Sequence, residues 1–225
     1  MPEIIIAIDG PAASGKGTLA RQIAEILDLA YLDTGSLFRT LAVKVMASGG
    51  ACTDAPRVLA VLEGLTAAVL AAGASDPQIR TAMAGRGASE VAAIPAVRDR
   101  LAAIERDFAR NPPPLPSGQA ARGAVLDGRD IGTVILPDAP AKLYITASAE
   151  ARAVRRRADL VRAGGSASYS EVLADIRARD ARDMEREAAP LKPASDAAII
   201  DSTNLTADEV LKAAMEELAG RGLIG

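Results

Sequence analysis

Several residue types are scarce or missing in this 225-residue chain, and each absence excludes a class of chemistry. There is no histidine, so the commonest general base and the usual zinc ligand are both missing. Cys52 is the only cysteine, which excludes an internal disulfide and a thiolate metal cluster, and we interpret it as a small buried apolar residue. Any chemistry must therefore depend on Asp, Glu, Lys, Arg and backbone dipoles.

The chain also lacks a long apolar run and a strong net charge. A formal charge of -3 and a pI near 5.2 give no general attraction to nucleic-acid polymers or anionic membranes. The apolar run Ile4 to Ile8 is too short to cross a bilayer, and Met1-Pro2-Glu3 has no basic residue of the kind that begins a signal peptide. We therefore expect a cytoplasmic protein with one substantial core, with a monomer as the default state.

Short apolar runs that end in polar residues alternate with helical patterns. Ile4 to Ile8, ended by Asp9-Gly10-Pro11, predicts a strand buried on both faces. Helical spacing follows from Lys16 to Leu27, and Tyr31-Leu32 predicts a second strand. Further strands are predicted at Ala124–Leu126, Lys142–Ile145 and Ala198–Ile200. The pattern predicts a three-layer α/β fold of the P-loop type with a five-stranded parallel sheet.

An insertion interrupts this core at about 56–117. It is rich in alanine and predicts a mostly helical segment, with helices at Val58–Leu70 and Val91–Phe108. The proline-rich residues 111–118 cannot continue a helix, so they form an exposed connector that closes the insertion.

A second interruption, about 151–189, predicts a lid. Its sequence has the pattern of two charged helices with a glycine-serine tip at 164–168, and such a pair can move as a lid. The rest of the chain then forms the core of a single domain, made of residues 1–55, 118–150 and 190–225.

A phosphate-binding loop stands between the first strand and the first helix. Its sequence is Gly10-Pro11-Ala12-Ala13-Ser14-Gly15-Lys16-Gly17-Thr18. The three glycines permit positive φ and close backbone approach, Lys16 supplies charge, and the Thr18 hydroxyl can face Mg²⁺. A glycine turn that carries a lysine by chance would not explain the strand before it and the helix after it. We therefore predict that this loop grips a nucleoside triphosphate with its Mg²⁺.

Polar residues directly after two other strands are candidates for an acceptor site. They are Asp33, Thr34 and Arg39 after the second strand, and Asp127, Arg129 and Asp130 after the third. The carboxyl ends of parallel strands meet at one edge of a sheet, where ligands bind. Arginine can fork onto a phosphate, and a carboxylate can accept hydrogen bonds from a base or a sugar. Helix caps and a surface charge are the alternatives left open for Asp33, Asp127 and Arg39.

The densest charge lies between Arg177 and Arg186. On a helix, four of its residues share one face by the three- and four-residue rule: Arg179, Arg182, Asp183 and Arg186. A solvated helix with ion pairs is one interpretation. Beside a P-loop, the same face also fits a transition state with negative charge on its phosphoryl oxygens.

In order along the chain, these segments resemble bacterial-type cytidylate kinases, within the nucleoside-monophosphate kinase family of P-loop proteins. The resemblance is carried by Ile8-Asp9-Gly10-Pro11 with Gly15-Lys16-Gly17-Thr18, Leu32-Asp33-Thr34-Gly35 with Phe38-Arg39, Ser89-Glu90-Val91-Ala92 with Val97-Arg98, Asp127-Gly128-Arg129-Asp130-Ile131-Gly132-Thr133, Leu143-Tyr144-Ile145, Arg179-Asp180 with Arg182-Asp183 and Arg186, and Ala189-Pro190-Leu191 with Asp201-Ser202-Thr203. Gly17 between Lys16 and Thr18 is typical of nucleoside-monophosphate kinases, and the block from Asp127 to Thr133 differs from adenylate kinases. One departure is that residues 60–88 are shorter than the strand-containing insertion usual in the family.

The resemblance implies ATP-dependent phosphorylation of CMP and dCMP to CDP and dCDP in pyrimidine nucleotide metabolism, by a single P-loop kinase domain using MgATP. It implies that ATP is bound by Gly10 to Thr18 and by the lid arginines Arg155, Arg156 and Arg157. The CMP-binding residues it implies are Asp33, Thr34, Arg39, Ser89, Arg98, Arg129, Asp130, Arg179, Asp183 and Arg186. The catalytic residues it implies are Lys16, Arg129, Asp130 and Arg186.

Three other functions are compatible with a P-loop. A GTPase switch needs an Asn-Lys-x-Asp guanine reader, and neither Asn111 nor Asn204 begins one. A kinase for another small acceptor keeps the loop but gives no reason for the block from Asp127 to Thr133. A non-catalytic regulator would bind ATP without transferring phosphate, and activity with an acceptor separates it from the kinase.

Overall fold

The computed structural model describes residues 4–162 and 164–224, which divide into two compact units. The first unit joins the residues up to Leu32 with those from Arg106 onward, and the second is Asp33–Glu105. Residue 163, within the expected lid, and residues 1–3 and 225 lie outside the described residues. The second unit begins at Asp33 because the helix that follows it packs on later helices of the same unit. The extents of the expected insertion and lid stay predictions.

The first unit contains a parallel sheet of five strands within the described residues, which confirms the predicted fold class. The strands are β1 (Ile4–Asp9), β2 (Leu29–Asp33), β3 (Gly123–Gly128), β4 (Ala141–Thr146) and β5 (Ala198–Asp201). Their order is β2-β3-β1-β4-β5. Ile8 of β1 stands opposite Asp127 of β3 and Leu143 of β4, so the polar residues that end these strands meet at one edge.

Two helices, α1 (Lys16–Leu27) and α9 (Ala207–Gly220), pack on this sheet because their apolar residues recur at helical spacing. The same unit also contains α7 (Ala149–Arg162) and α8 (Tyr169–Glu185), which pack on each other. Leu19, Ile23 and Leu27 of α1 belong to one buried cluster with Ile6 and Ile8 of the central strand. Residues of α9 complete this core and hold the helix after the phosphate loop against the sheet.

The two predicted lid helices are present as α7 and α8. They share a small apolar cluster of Ala153, Val172 and Ile176. Ser168 begins α8 with a capping box, in which its side chain accepts from the Glu171 backbone N–H. The turn between the helices holds the predicted glycine-serine tip.

The structure describes every residue of the second unit, which is helical and contains no strand residue after Asp33, the last residue of β2. Its elements are α2 (Thr34–Ala47), α3 (Ala55–Glu63), α4 (Ala67–Ala72), α5 (Ala82–Val91) and most of α6 (Pro95–Arg110), with short 3₁₀ turns at 73–75 and 77–80. The helix predicted at 58–70 is wrong as one piece, because Gly64 ends α3 and Thr66 caps α4. The one predicted at 91–108 is also broken, since α5 ends before Pro95 opens α6.

Among the described residues, no single helix is long and apolar enough to cross a membrane. A pair of helical segments, Ala55–Glu63 and Ala67–Ser75, meets the length and composition test only jointly, across a bend of 103°.

Candidate active site

The phosphate loop connects the end of β1 to the start of α1. Three residues in it have positive φ: Gly10 (148°), Ala13 (60°) and Gly15 (94°). A Cβ on Gly10 would lie 2.0 Å from the Ile145 carbonyl oxygen, so only glycine fits there. Gly17 lies in the first turn of α1, where an added Cβ would be 3.5 Å from both an Asp127 carboxylate oxygen and the Tyr31 hydroxyl.

Lys16 folds back over the loop. Its side chain is buried, and its ammonium donates to the Pro11 carbonyl oxygen at 3.3 Å. A lysine held in this way places one positive charge beside backbone N–H groups at the start of a helix. The arrangement is suited to the phosphates of a nucleoside triphosphate.

A cavity of about 190 Å³ opens beside the loop. Thr18, Gln22 and Arg155 contribute to its lining, together with the start of α9. Arg155 donates to both the hydroxyl and the carbonyl oxygen of Ser202, and the Ser202 hydroxyl lies 2.9 Å from the Ser14 carbonyl oxygen as its donor. Arg155, one of the predicted lid arginines, is therefore connected to the phosphate loop through Ser202.

The other two lid arginines lie elsewhere on α7. Arg157 is exposed and donates from Nε to the Ala167 carbonyl oxygen at 3.2 Å, within the turn before α8. Arg156 is half-buried. Their roles with ATP stay predictions.

Asp9 joins the phosphate loop to the segment after Arg129 and Asp130. Its carboxylate accepts from the Ile131 N–H at 2.8 Å and the Gly132 N–H at 2.7 Å. Burial raises the pKa of Asp9 from 3.8 to about 6, against the lowering effect of these two hydrogen bonds. The carboxylate therefore fixes the one-turn π-helix Ile131–Ile135 against the end of β1.

Asp127 lies beside the start of α1. It is 4% exposed and accepts from the Tyr31 hydroxyl at 3.1 Å. Its second carboxylate oxygen would be 3.5 Å from a Cβ on Gly17, the neighbour of Thr18. A hydroxyl from the loop and an aspartate from a neighbouring strand are the protein ligands with which P-loop enzymes hold Mg²⁺.

The described residues contain no group of three or more carboxylates or thiols that could hold a metal alone. This fits Mg²⁺, which binds through one or two carboxylates together with phosphates and water. Thr18 and Asp127 therefore form a donor set suited to Mg²⁺ bound with a triphosphate.

Three arginines predicted to bind CMP surround Asp183, which is itself a predicted CMP-binding residue. We call these four residues the Asp183 cluster: Arg129, Arg179, Asp183 and Arg186. Arg129 donates from Nε to Asp183 at 3.1 Å, and Arg179 Nε lies 3.8 Å from the same oxygen. Burial alone would raise the pKa of Asp183, but the three arginines outweigh it and hold this pKa below its usual range. The cluster is therefore a fixed carboxylate among cations, as expected for recognition of a phosphorylated ligand.

The shared helix face predicted for these residues is correct only in part. Arg182 is exposed and donates to the Ala178 carbonyl oxygen of its own helix. Arg186 lies one residue beyond α8 in extended backbone and donates to the Ala189 carbonyl oxygen at 2.8 Å. Asp130 is buried at 6% exposure, at the start of the π-helix.

The second unit holds the remaining predicted CMP residues. Asp33 caps α2 by accepting from the Ser36 N–H at 3.1 Å, and it also accepts from Arg39 at 2.6 Å. It therefore is a helix cap, the alternative left open from the sequence, and at the same time the partner of Arg39. Thr34 is the first residue of α2 and is 4% exposed.

Ser89 and Arg98 lie on the later helices of this unit. The Ser89 hydroxyl is buried and has no hydrogen-bond partner among the described residues. The Arg98 guanidinium stands over the Phe38 ring at 5.9 Å from its centroid.

The family model for cytidylate kinase matches residues 6–219. The chain belongs to the cytidylate kinase family. The curated cytidylate kinase of Rhodospirillum rubrum is 49% identical over 216 residues, which cover 96% of this chain and 97% of that protein. That of Cereibacter sphaeroides is 49% identical over 213 residues (95% and 94%), and that of Paramagnetospirillum magneticum is 46% identical over 221 residues (98% and 97%). The reaction is therefore ATP-dependent phosphorylation of CMP and dCMP.

These cytidylate kinases are matched over nearly their whole length, so the short segment 60–88 is no departure from them in length. Among solved structures, an uncharacterized protein from Eubacterium ventriosum has a TM-score of 0.52 at 15% identity, covering 96% of this chain and 98% of that chain. This likeness supports the fold alone.

Several residues that organise this cytidylate kinase site have no role assigned from the sequence, although three of them, Asp9, Asp180 and Ser202, lie in segments that carry the resemblance. Asp9 was detectable, because it is a polar residue directly after a predicted strand, the criterion applied to the later strands. Arg152, Asp180 and Ser202 were not, because their partners lie 28 or more positions away along the chain. Only the packed fold brings such residues together.

Proposed function

We propose that this cytidylate kinase transfers the γ-phosphoryl group of MgATP directly to a phosphate oxygen of CMP or dCMP, with the phosphate loop as the donor site and the Asp183 cluster as part of the acceptor site. The observation that carries this assignment is the buried Asp183 carboxylate held by Arg129 and Arg179, in the same unit as the loop. A polyanion-binding cluster near a triphosphate loop is expected where two phosphates must meet.

On the donor side, the backbone N–H groups of Gly10 to Thr18 and the Lys16 ammonium bind the ATP phosphates. The cavity beside Arg155 and Ser202 accepts the nucleoside, which its place next to Gly15 and Thr18 supports. Arg156 and Arg157 are assigned to ATP when the lid closes. Thr18, with Asp127 as a second ligand directly or through water, would hold Mg²⁺, which would supply positive charge beside the ATP phosphates.

On the acceptor side, Arg129 and Arg186 bind the CMP phosphate, while Asp130, Arg179 and Asp183 orient its sugar and base. In the second unit, Asp33, Thr34, Arg39, Ser89 and Arg98 also bind CMP. The orphan hydroxyl of Ser89 supports this, because a buried polar group without a partner is unfavourable unless a ligand satisfies it.

The reaction needs no general base, because a phosphate nucleophile is already ionised at neutral pH. This agrees with a chain that contains no histidine. The residues act by positioning and by neutralising charge as it develops on the transferred group. Closure of the lid, about 151–189, excludes water, which would otherwise compete as the acceptor. A cytoplasmic location and a monomeric state stay predictions.

The test is an assay of ADP release with CMP, dCMP, UMP, AMP or shikimate as the acceptor. We expect activity with CMP and dCMP, and Asp183→Asn should raise KM for CMP on the order of tenfold, because it removes the charge that holds two arginines. Asp159→Asn is the matched control, since Asp159 is an exposed lid carboxylate. Activity confined to AMP or shikimate would overturn the acceptor assignment, and ATP binding without transfer would favour a regulator.

A further inference from the structure

Arg152 is a nearly buried arginine that the proposed reaction does not use. It lies in the first turn of α7, is 4% exposed, and contacts three separate parts of the first unit. Its Nε donates to the Ala147 carbonyl oxygen at 2.9 Å, just after β4. Its Nη1 donates to the Ala12 carbonyl oxygen of the phosphate loop at 3.3 Å. Both terminal nitrogens also bind the Asp180 carboxylate, at 3.0 and 2.6 Å.

Asp180 lies on α8 between residues of the proposed acceptor site. It follows Arg179 directly and precedes Asp183 by one helical turn. Asp180 binds Arg152 of α7, while Asp183 binds Arg129 at the end of β3. The same stretch of α8 is therefore tied to the donor loop through one ion pair and to the acceptor segment through another.

The contact with Ala12 acts on the orientation of a loop amide. Because a trans peptide is planar, the Ala13 N–H points away from the oxygen of Ala12 in the same peptide. Ala13 has positive φ (60°), a conformation that costs energy for alanine and needs support from its surroundings. Arg152 gives this support by donating to the Ala12 carbonyl oxygen. The Ala13 N–H, on the opposite side of the same peptide, therefore stays available to a phosphate.

Stability alone is a weak reason for such a pair. A buried ion pair loses solvation of both ions, and replacing it by apolar residues is often neutral for folding. An apolar pair would lose the bidentate geometry of the Arg152–Asp180 ion pair, which fixes the distance between α8 and the loop.

We propose that Arg152 and Asp180 are positioning residues that connect the arginines of α8 to the phosphate loop. Through this connection, ATP on the loop and the acceptor-site arginines take the relative positions that phosphoryl transfer needs. The inference rests on the proposed placement of ATP on the loop. Breaking the pair should slow transfer more than it weakens ATP binding, and it should raise the share of ATP lost to water.

The test compares Arg152→Met, Arg152→Lys, Asp180→Asn and the double variant Arg152→Met with Asp180→Asn. We expect each loss of the pair to lower kcat on the order of 10- to 100-fold, with KM for ATP changed by about threefold or less. The double variant should be no slower than the slower single variant, because the two residues act as one unit. Arg152→Lys keeps the charge without the fork, so it should recover part of the rate.

Glu150→Gln is the matched control, because it breaks the exposed Arg177–Glu150 ion pair between the same two helices without touching the loop. Its kcat should stay within about twofold of the parent, as for an exposed pair. Thermal unfolding is measured for every variant. Asp180→Asn leaves the Arg152 bonds to Ala12 and Ala147 in place, so it decides the question if Arg152→Met does not fold.

A folded Asp180→Asn enzyme with unchanged kcat would overturn the inference, and so would additive losses in the double variant. The proposed function fails in a different way: the parent enzyme would form no CMP-dependent ADP, or Lys16→Met would leave its rate unchanged. The same assay on the parent chain therefore separates the two failures.

Discussion

The phosphate loop and the Asp183 cluster lie in the same unit of the protein but are built in opposite ways. The loop is nine consecutive residues with one charged side chain, and its shape depends on backbone angles at Gly10, Ala13 and Gly15. The cluster joins Arg129, just after β3, to residues of α8 and its C-cap; Arg129 and Asp183 are 54 positions apart, and the cluster depends on side-chain charge. The loop should therefore be sensitive to backbone and steric changes, and the cluster to loss of charge.

The largest effect is expected from a change at Lys16, the one charged side chain of the phosphate loop. Lys16→Met should lower kcat on the order of 1000-fold, because it removes the cation closest to the transferred group. Folding should be little affected, since a buried ammonium is replaced by an apolar chain of similar length. Steady-state kinetics and thermal unfolding measure both effects. Lys212→Met, at an exposed position on α9, is the control and should match the parent.

A steric change in the loop comes next. Gly10→Ala places a Cβ 2.0 Å from the Ile145 carbonyl oxygen, so the free energy of unfolding should fall by about 3 kcal/mol or more. Gly118→Ala is the matched control, because Gly118 also has positive φ but nothing lies within 4 Å of the added carbon. It should cost about 1 kcal/mol from strain alone. Equal losses in urea unfolding would show that the close approach at Gly10 is unimportant.

Two arginines on α8 test the charge dependence of the cluster. Arg179→Met should raise KM for CMP on the order of tenfold, because a charged hydrogen bond contributes about 1.5–3 kcal/mol. Arg182→Met changes the same residue type three positions along, where the side chain is exposed. It should change KM for CMP by about twofold or less. If both variants weakened CMP equally, α8 would act through its general charge and not through the Asp183 cluster.

The smallest effect concerns Asp9, which links the two regions. Its pKa is raised from 3.8 to about 6, so the folded protein binds a proton more tightly than the unfolded chain between these values. As pH rises from about 4 to 6, Asp9 therefore lowers the free energy of unfolding. Above about pH 6 it lowers this free energy no further. Asp9→Asn should remove this trend, a change in slope of about 1 kcal/mol per pH unit.

Urea unfolding of the parent and of Asp9→Asn at pH 4, 5, 6 and 7 measures this slope. Asp183 has a lowered pKa in both proteins, so its contribution cancels when their slopes are compared. Parallel curves for the two proteins would contradict the assignment of the titration to Asp9.

Much of the fold could be predicted, and the reasons are local. The five strands are short apolar runs, and α1 and the two lid helices have clear helical spacing. The second unit was predicted less well, because Gly64 and Pro95 divide two stretches whose alanine-rich composition favours continuous helix. The break at Gly64 also needs Thr66 as the cap of the next helix.

By itself, the sequence determined the phosphate loop and the family of the chain, because nine adjacent residues and a strand-to-helix context are enough to shape a backbone site. Only the tertiary structure decided that Asp183 binds Arg129, that Arg182 faces away from the cluster, and that Arg152 reaches both Ala12 and Asp180. The physical reason is that these contacts join residues far apart along the chain. Their geometry follows from how β1, β3, α7 and α8 pack, which no local pattern encodes.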